Sequence, residues 1–265
     1  MTDTAERPVK TPAPEPQTPE LQSVDGTTAK GLDPFAGIEE EDDEASREIY
    51  FISGLGADWR VFHRLQLKGY RPVHIHWERP FRGESIEHYA QRLMAQVTTE
   101  HPILVGLSFG GLMAVEMAKL CDPAQVIVIS SAVSGAQVPN YYKLFRWLPL
   151  QLVVPFKRLL WAVYGLLNWL FGLEDPEDQS LFKQVLVDTD PFFLKWAMSR
   201  VVGWRNQVVP KNLVQIHGGH DRVFPLGDRS ADIVIPDGGH LMVLTRAEEL
   251  SRLLMDALAT DPAQA

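Results

Sequence analysis

Cysteine is almost absent from this sequence, and so is any excess of positive charge. The single cysteine, Cys121, excludes an intrachain disulfide and favours a reducing cytoplasm. Residues 1–48 hold 13 of the 34 acidic side chains and only 4 of the 25 basic ones, so the remainder carries 21 of each sign. A charge-balanced chain lacks the basic footprint of a nucleic-acid binder, and we expect no nucleic-acid partner.

Long apolar runs are also missing. The N-terminus has neither the apolar core nor the cleavage site of a secretory signal, so we expect a cytoplasmic protein. The apolar stretch Leu159 to Leu173 is shorter than the roughly 20 residues that cross a bilayer. Two interpretations stay open for it: a greasy lid, or weak contact with a membrane surface through Trp161, Trp169 and Phe171.

The first part of the chain has the composition of a disordered segment. Residues 1–47 combine repeated prolines with the acidic run Glu39 to Glu44. Such a segment cannot bury enough apolar surface to offset the entropy of ordering. We therefore predict a disordered N-terminal tail.

From Glu48 onward, short apolar runs alternate with amphipathic stretches, which is typical of a parallel sheet covered by helices. The predicted fold is α/β, with a doubly wound, mostly parallel sheet formed by residues 48–136 and 210–265. Strands are predicted at Ile49–Ser53, Val73–Trp77, Ile103–Leu107, Gln125–Ile129, Leu213–His217 and Ile233–Ile235. Helices are predicted at Asp58–Lys68, Ser85–Thr98, Phe109–Leu120 and Arg246–Leu258.

Residues 137–209 interrupt this alternation. The interval contains five of the seven tryptophans and has no clear strand pattern. Open α/β sheets bind ligands at the carboxyl ends of their strands, and an insertion between two strands would lie over that region. We predict a helical cap.

The strongest motif is Gly-x-Ser-x-Gly, in the sequence Val105 to Gly111, between an apolar strand and an apolar helix. A serine at such a strand-to-helix turn projects its hydroxyl from a strained backbone, and Gly106 and Gly110 leave room for the turn. Ser108 is therefore a candidate nucleophile.

A serine hydroxyl needs a base to take its proton and a group that orients the base. His240 and Asp221 each follow a predicted strand. Both are therefore expected at the carboxyl ends of the strands, where Ser108 also lies. The other histidines lie within predicted elements, before a strand, or in the turn that carries Asp221. His217 and His220 could bind a metal together with Asp221, an alternative we regard as weaker because zinc sites usually need a fixed second shell. Other candidates for the acid are Asp228, Asp232 and Asp237.

The order Ser, Asp, His on these loops resembles the α/β-hydrolase superfamily from about Glu48 to Ala259. The resemblance implies a nucleophile Ser108, an acid Asp221 and a general base His240. It implies an oxyanion hole from the backbone N–H groups of Phe109 and Leu55, although Ser53 stands where relatives more often have histidine.

The resemblance further implies a serine hydrolase without cofactor or metal, acting on a carboxylic ester or thioester. The aromatic cap favours a small-molecule substrate with an apolar acyl or aromatic group. Acyltransfer, C–C bond hydrolysis and a non-catalytic binding protein of the same fold remain alternatives. Glu78 is expected to pair with Arg79 or with loop backbone groups, outside the site. The sequence gives no indication of the oligomeric state.

Overall fold

The structure, a computed structural model, describes residues 47–139, 141–142, 156–227 and 229–259, with only the backbone of 156–163. The predicted tail, 1–47, lies outside these residues except for Arg47, which begins the first strand. Asp228, one of the candidate acids, and the side chain of Trp161 also lie outside the described part.

Six parallel strands form one sheet in the order β2-β1-β3-β4-β5-β6. This arrangement confirms the predicted α/β fold with a parallel sheet. The strands are β1 Arg47–Ile52, β2 Tyr70–Ile75, β3 Ile103–Leu107, β4 Gln125–Ile129, β5 Leu213–Gly218 and β6 Ile233–Ile235.

Seven α-helices accompany the sheet in the described residues. They are α1 Ile86–Leu93, α2 Phe109–Ala118, α3 Phe156–Phe171, α4 Pro176–Asp188, α5 Pro191–Gly203, α6 Met242–Thr245 and α7 Ala247–Ala259. No helix among the described residues has the length and apolar character needed to cross a bilayer.

The sheet is covered on both faces. In β1, Tyr50 and Ile52 pack with α1 and α2 on one face, while Ile49 and Phe51 pack with α6 and α7 on the other. This alternation follows the two-residue period of a strand. Every residue of β3 and β4 is buried, because central strands of a parallel sheet are covered on both sides.

Helices α3, α4 and α5 lie between β4 and β5 in the chain. The described residues of this interval contain no β-strand, and Pro176 and Pro191 each occupy the first turn of a helix whose preceding aspartate caps it. The boundaries 48–136, 137–209 and 210–265, and the role of the insertion as a cap, remain predictions.

Several sequence predictions were wrong in their bounds. The helix expected at Ser85–Thr98 is Ile86–Leu93, followed by a 3-10 helix, Met94–Gln96. The helix expected at Asp58–Lys68 is only a 3-10 helix, Trp59–Phe62, and beyond it the amide of Gln66 donates to the Ser251 hydroxyl on α7 instead of continuing a helix. The second strand begins at Tyr70 and ends at Ile75, so it includes Pro72. Proline is tolerated there because β2 is at the edge of the sheet.

Helix α2 lies unusually close to the sheet. A Cβ atom at Gly110 would lie 2.1 Å from the carbonyl oxygen of Ile52, and one at Gly106 would lie 2.3 Å from the carbonyl oxygen of Gly110. Both distances are far below van der Waals contact, and the neighbouring atoms are backbone. The two glycines therefore set the distance between α2 and the strands that precede it.

Replacing Gly110 by alanine is expected to lower the free energy of unfolding by about 1–3 kcal/mol, because the added methyl group overpacks the helix against β1. Gly165→Ala is the matched control, since nothing lies within 4 Å of the added atom and alanine favours a helix. Urea unfolding of both variants measures the difference. Wild-type stability of Gly110→Ala would contradict the close approach.

Candidate active site

Ser108 lies in a tight turn between β3 and α2. Its backbone has φ 53° and ψ −119°, a conformation that costs a non-glycine residue energy and persists only when its surroundings hold it. Two contacts do so: the Ser108 amide donates to the carbonyl of Ile129 at 2.9 Å, and the Ser131 hydroxyl donates to the Ser108 carbonyl at 2.5 Å. The turn that the motif predicts is therefore present.

Asp221 lies in the turn that follows β5 and is 4% exposed. Its Oδ1 accepts hydrogen bonds from the amides of Val223 and Phe224, both at 2.8 Å. These bonds leave Oδ2 directed at His240, which follows β6. The carboxylate is thus oriented by its own turn.

The imidazole of His240 joins the other two residues. Its Nδ1 lies 2.8 Å from Asp221 Oδ2, and its Nε2 lies 2.9 Å from Ser108 Oγ. Because a carboxylate only accepts, Nδ1 carries the proton, and Nε2 of the neutral ring is free to accept the serine proton. The structure therefore brings Ser108, Asp221 and His240 together in hydrogen-bond contact.

The electrostatic balance at Asp221 keeps it ionised. Burial raises the pKa of this carboxyl, but His240 and the Phe224 amide lower it more, and the net pKa is below the ordinary value. An ionised Asp221 stabilises the positive charge that His240 acquires when it takes a proton. The arrangement can thus activate the serine hydroxyl as a nucleophile.

The loop after β1 passes directly over Ser108. A Cβ atom at Gly54 would lie 3.3 Å from Ser108 Cβ, and the loop is closed by a hydrogen bond from the Ser53 hydroxyl to the Ala57 carbonyl at 2.9 Å. In the described part of the chain, neither Leu55 nor Phe109 donates its amide to a protein acceptor. Their role in an oxyanion hole stays a prediction.

The competing acids have other partners. Asp232 Oδ2 accepts the Gln215 amide at 2.7 Å, and Asp237 lies 3.9 Å from Arg246 at the surface. Glu78 pairs with Arg92 rather than with Arg79, as its carboxylate accepts from the guanidinium of Arg92.

The metal-site alternative involves His217, whose Nε2 lies 2.7 Å from the Phe224 carbonyl oxygen. No cluster of three ligating side chains occurs in the described residues.

Two residues next to the site did not stand out as contributors to it in the sequence. Ser131 holds the Ser108 carbonyl, as described above, and follows β4 by two residues. His217, within β5, is 3% exposed and lies 3.5 Å from Asp221 Oδ2 through its Nε2. Their only sequence signal is their place at the ends of neighbouring strands, which does not separate them from other polar residues there.

Two aromatic rings pack against His240, and others pack around Phe109, the residue after Ser108. The Phe171 ring, at the end of α3, meets the His240 ring edge-on at 5.2 Å, and the Phe224 ring stacks on it at 6.0 Å. The Phe193 ring of α5 lies 5.0 Å from Trp77 and 6.2 Å from Phe109. The inserted helices therefore contribute an apolar wall to the site.

Comparison with known proteins identifies the same architecture. The sequence model of the alpha/beta hydrolase family matches residues 49–253. Curated proteins give no significant match to the sequence.

Solved structures with a similar fold include three from bacteria. A hydrolase from Oleispira antarctica has 12% identity and a TM-score of 0.64, covering 81% of this chain and 91% of its own. A thermophilic esterase from Thermogutta terrifontis has 17% identity and a TM-score of 0.59, covering 80% and 89%. A meta-cleavage product hydrolase from Pseudomonas fluorescens has 17% identity and a TM-score of 0.58, covering 80% and 90%.

The surroundings of His217 generate a prediction about stability and pH. Burial lowers the pKa of His217 and outweighs the Phe224 carbonyl and Asp221, which favour the charged ring. The unfolded chain, with an ordinary pKa of about 6.5, then binds more protons than the folded one just below that pH. The free energy of unfolding of the wild type, minus that of His217→Gln, should therefore decrease as the pH falls from about 8 to 5.5.

Urea unfolding of both proteins at several pH values measures this difference. The slope is expected to be at most about 1.4 kcal/mol per pH unit, the limit for one proton. A difference that does not change with pH would mean that His217 titrates alike in both states.

Proposed function

This chain belongs to the alpha/beta hydrolase family, and we propose that it is a serine hydrolase with a catalytic triad of Ser108, His240 and Asp221. The proposed substrate is a carboxylic ester or thioester with an apolar acyl or aromatic group. No cofactor enters the proposed reaction. The observation that supports this proposal most directly is a chain of two hydrogen bonds. Ser108 Oγ lies 2.9 Å from His240 Nε2, and His240 Nδ1 lies 2.8 Å from Oδ2 of the buried Asp221.

In the first half of the proposed reaction, His240 Nε2 takes the proton of Ser108 as Oγ forms a bond to the substrate carbonyl carbon. The amides of Leu55 and Phe109 are proposed to stabilise the resulting oxyanion. His240 then gives the proton to the leaving alcohol or thiol, and the bond from carbon to the leaving group breaks. The product is an acyl ester on Ser108.

In the second half, His240 takes a proton from water, and the water oxygen attacks the acyl carbon. The bond to Ser108 Oγ breaks, and the proton returns from His240 to Ser108. Asp221 stays ionised throughout and stabilises the imidazolium. One carboxylic acid leaves per cycle.

The surroundings of the site support an apolar acyl group. The Phe171 and Phe224 rings lie 5.2 and 6.0 Å from the His240 ring, and a Cβ atom at Gly56 would meet the Leu186 side chain at 2.9 Å. A buried charge in such surroundings would have to be paired. Ester and thioester substrates differ only in the leaving group, so both fit the same site.

Two alternatives use the same fold. An acyltransferase or a C–C bond hydrolase would use the same three residues with another acceptor or another scissile bond, and a binding protein would use the apolar site alone. The hydrogen-bonded triad favours chemistry over binding. A cytoplasmic location and weak contact of the insertion with a membrane surface remain predictions.

Labelling by a fluorophosphonate probe, followed by peptide mass spectrometry, tests the nucleophile. Wild-type protein is expected to carry one adduct on Ser108, because His240 activates this hydroxyl. Ser108→Ala should not be labelled, and His240→Ala should react at least about 1,000-fold more slowly. Ser199→Ala, at an exposed position of α5 away from the three residues, retains both the nucleophile and the base and serves as the control serine.

An adduct on another residue, or equal labelling of wild type and His240→Ala, would contradict the proposed role of the triad. The absence of any adduct on folded wild-type protein would favour the binding protein.

A matched pair of substrates tests the acyl preference. The butyrate and the hemisuccinate esters of p-nitrophenol have acyl chains of equal length, which end in a methyl group or a carboxylate. We expect kcat/KM to be at least about tenfold higher for the butyrate, because placing a carboxylate beside the Phe171 and Phe224 rings would remove it from water. Equal rates, or a preference for the hemisuccinate, would contradict the apolar acyl group.

A further inference from the structure

His217 lies directly beneath the turn that carries Asp221. Its side chain is buried, and its Nε2 lies 2.7 Å from the carbonyl oxygen of Phe224. Because a carbonyl oxygen only accepts, Nε2 carries the proton and donates it. The same N–H group is 3.5 Å from Asp221 Oδ2.

The protonation state of His217 follows from its other nitrogen. Nδ1 is buried and has no hydrogen-bond partner among the described residues. Protonating it would leave a buried N–H donor without an acceptor, and burial, which outweighs the nearby Asp221 carboxylate, lowers the pKa of His217. Asp221, His240 and Arg229 are the charged or titratable groups that act on it. His217 is therefore a neutral donor in the folded protein at pH 7.

The turn between Asp221 and Phe224 is held from both sides. Tyr141 and Tyr142 donate their hydroxyls to the Val223 carbonyl at 2.7 and 2.9 Å, while His217 holds the next carbonyl. The amides of the same two turn residues donate to Asp221 Oδ1. A shift of this turn would consequently rotate the carboxylate that His240 depends on.

We propose that His217 is a positioning residue, whose Nε2–H group holds the Phe224 carbonyl and the Oδ2 edge of Asp221 so that the carboxylate stays aligned with His240. The proposal rests on the proposed function, since alignment matters for a triad that transfers protons. His217 itself touches no reacting atom. It acts through the turn and through Asp221.

Three variants separate donation from packing. His217→Gln keeps an N–H donor at a similar reach, whereas His217→Leu and His217→Met keep apolar volume without a donor. His74→Leu is the matched control, because His74 is a partly buried strand histidine, also with an unpartnered Nδ1, in β2 away from the triad. Two apolar variants are used because, if one of them fails to fold, the other still tests the proposal.

The first readout is kcat per fluorophosphonate-reactive site, which removes any contribution from unfolded protein. We expect kcat to fall about tenfold in His217→Leu and His217→Met with KM nearly unchanged, and His217→Gln to stay within about threefold of wild type. His74→Leu should lose thermal stability but keep kcat. Wild-type kcat in both apolar variants would overturn the proposal.

The second readout is the low-field proton resonance of His240 Nδ1–H, which reports its hydrogen bond to Asp221 without any substrate. We expect it to move upfield or broaden in the two apolar variants and to persist in His217→Gln. An unchanged resonance in the apolar variants would overturn the positioning role. If wild type hydrolyses nothing and yet the resonance changes as expected, the proposed function fails and the positioning role stands.

Discussion

The hydrogen bond between the buried carboxylate of Asp221 and Nδ1 of His240 is the contact on which the proposed chemistry of this site depends. It fixes which nitrogen of the histidine carries the proton, and so leaves Nε2 to accept the proton of Ser108. The parallel sheet makes the contact available, because the carboxyl ends of β3, β5 and β6 lie on the same side of the sheet and are followed by Ser108, Asp221 and His240 in turn. A carboxylate 4% exposed stays ionised only because the histidine and two backbone amides compensate for lost water.

The inserted helices are attached to the same loops. The Leu241 amide, next to His240, donates to the Phe171 carbonyl at the end of α3 at 3.3 Å, and Arg222, next to Asp221, donates to the Trp169 carbonyl at 2.6 Å. Tyr141 bonds to the acid turn as well. The insertion thus contributes apolar rings to the site and also supports the positions of its acid and base. Substitutions in the insertion are therefore expected to affect the proposed catalysis without contact to the substrate.

Much of this arrangement is visible in the sequence, because the central strands are continuous apolar runs and the Gly-x-Ser-x-Gly motif fixes the turn at Ser108. Asp221 and His240 can then be located because each follows one of the last two predicted strands. The short 3-10 helix at Trp59–Phe62 was not predicted, because the amide of Gln66 beyond it bonds to Ser251 on a distant helix, a contact with no sequence pattern. The start of β2 was missed because an edge strand tolerates Pro72. The side chains of Ser131 and His217 form hydrogen bonds with backbone carbonyls, and a single sequence contains no pattern that predicts such bonds.

Detection of an acyl-enzyme tests the central claim most directly. Wild-type protein mixed rapidly with excess p-nitrophenyl butyrate, quenched in acid and digested should show one butyryl group per chain, located on Ser108 by mass spectrometry. Asp221→Asn should accumulate it far more slowly, because His240 loses its oriented proton. Hydrolysis that proceeds without an acyl group on Ser108, or at an unchanged rate in Asp221→Asn, would contradict the account.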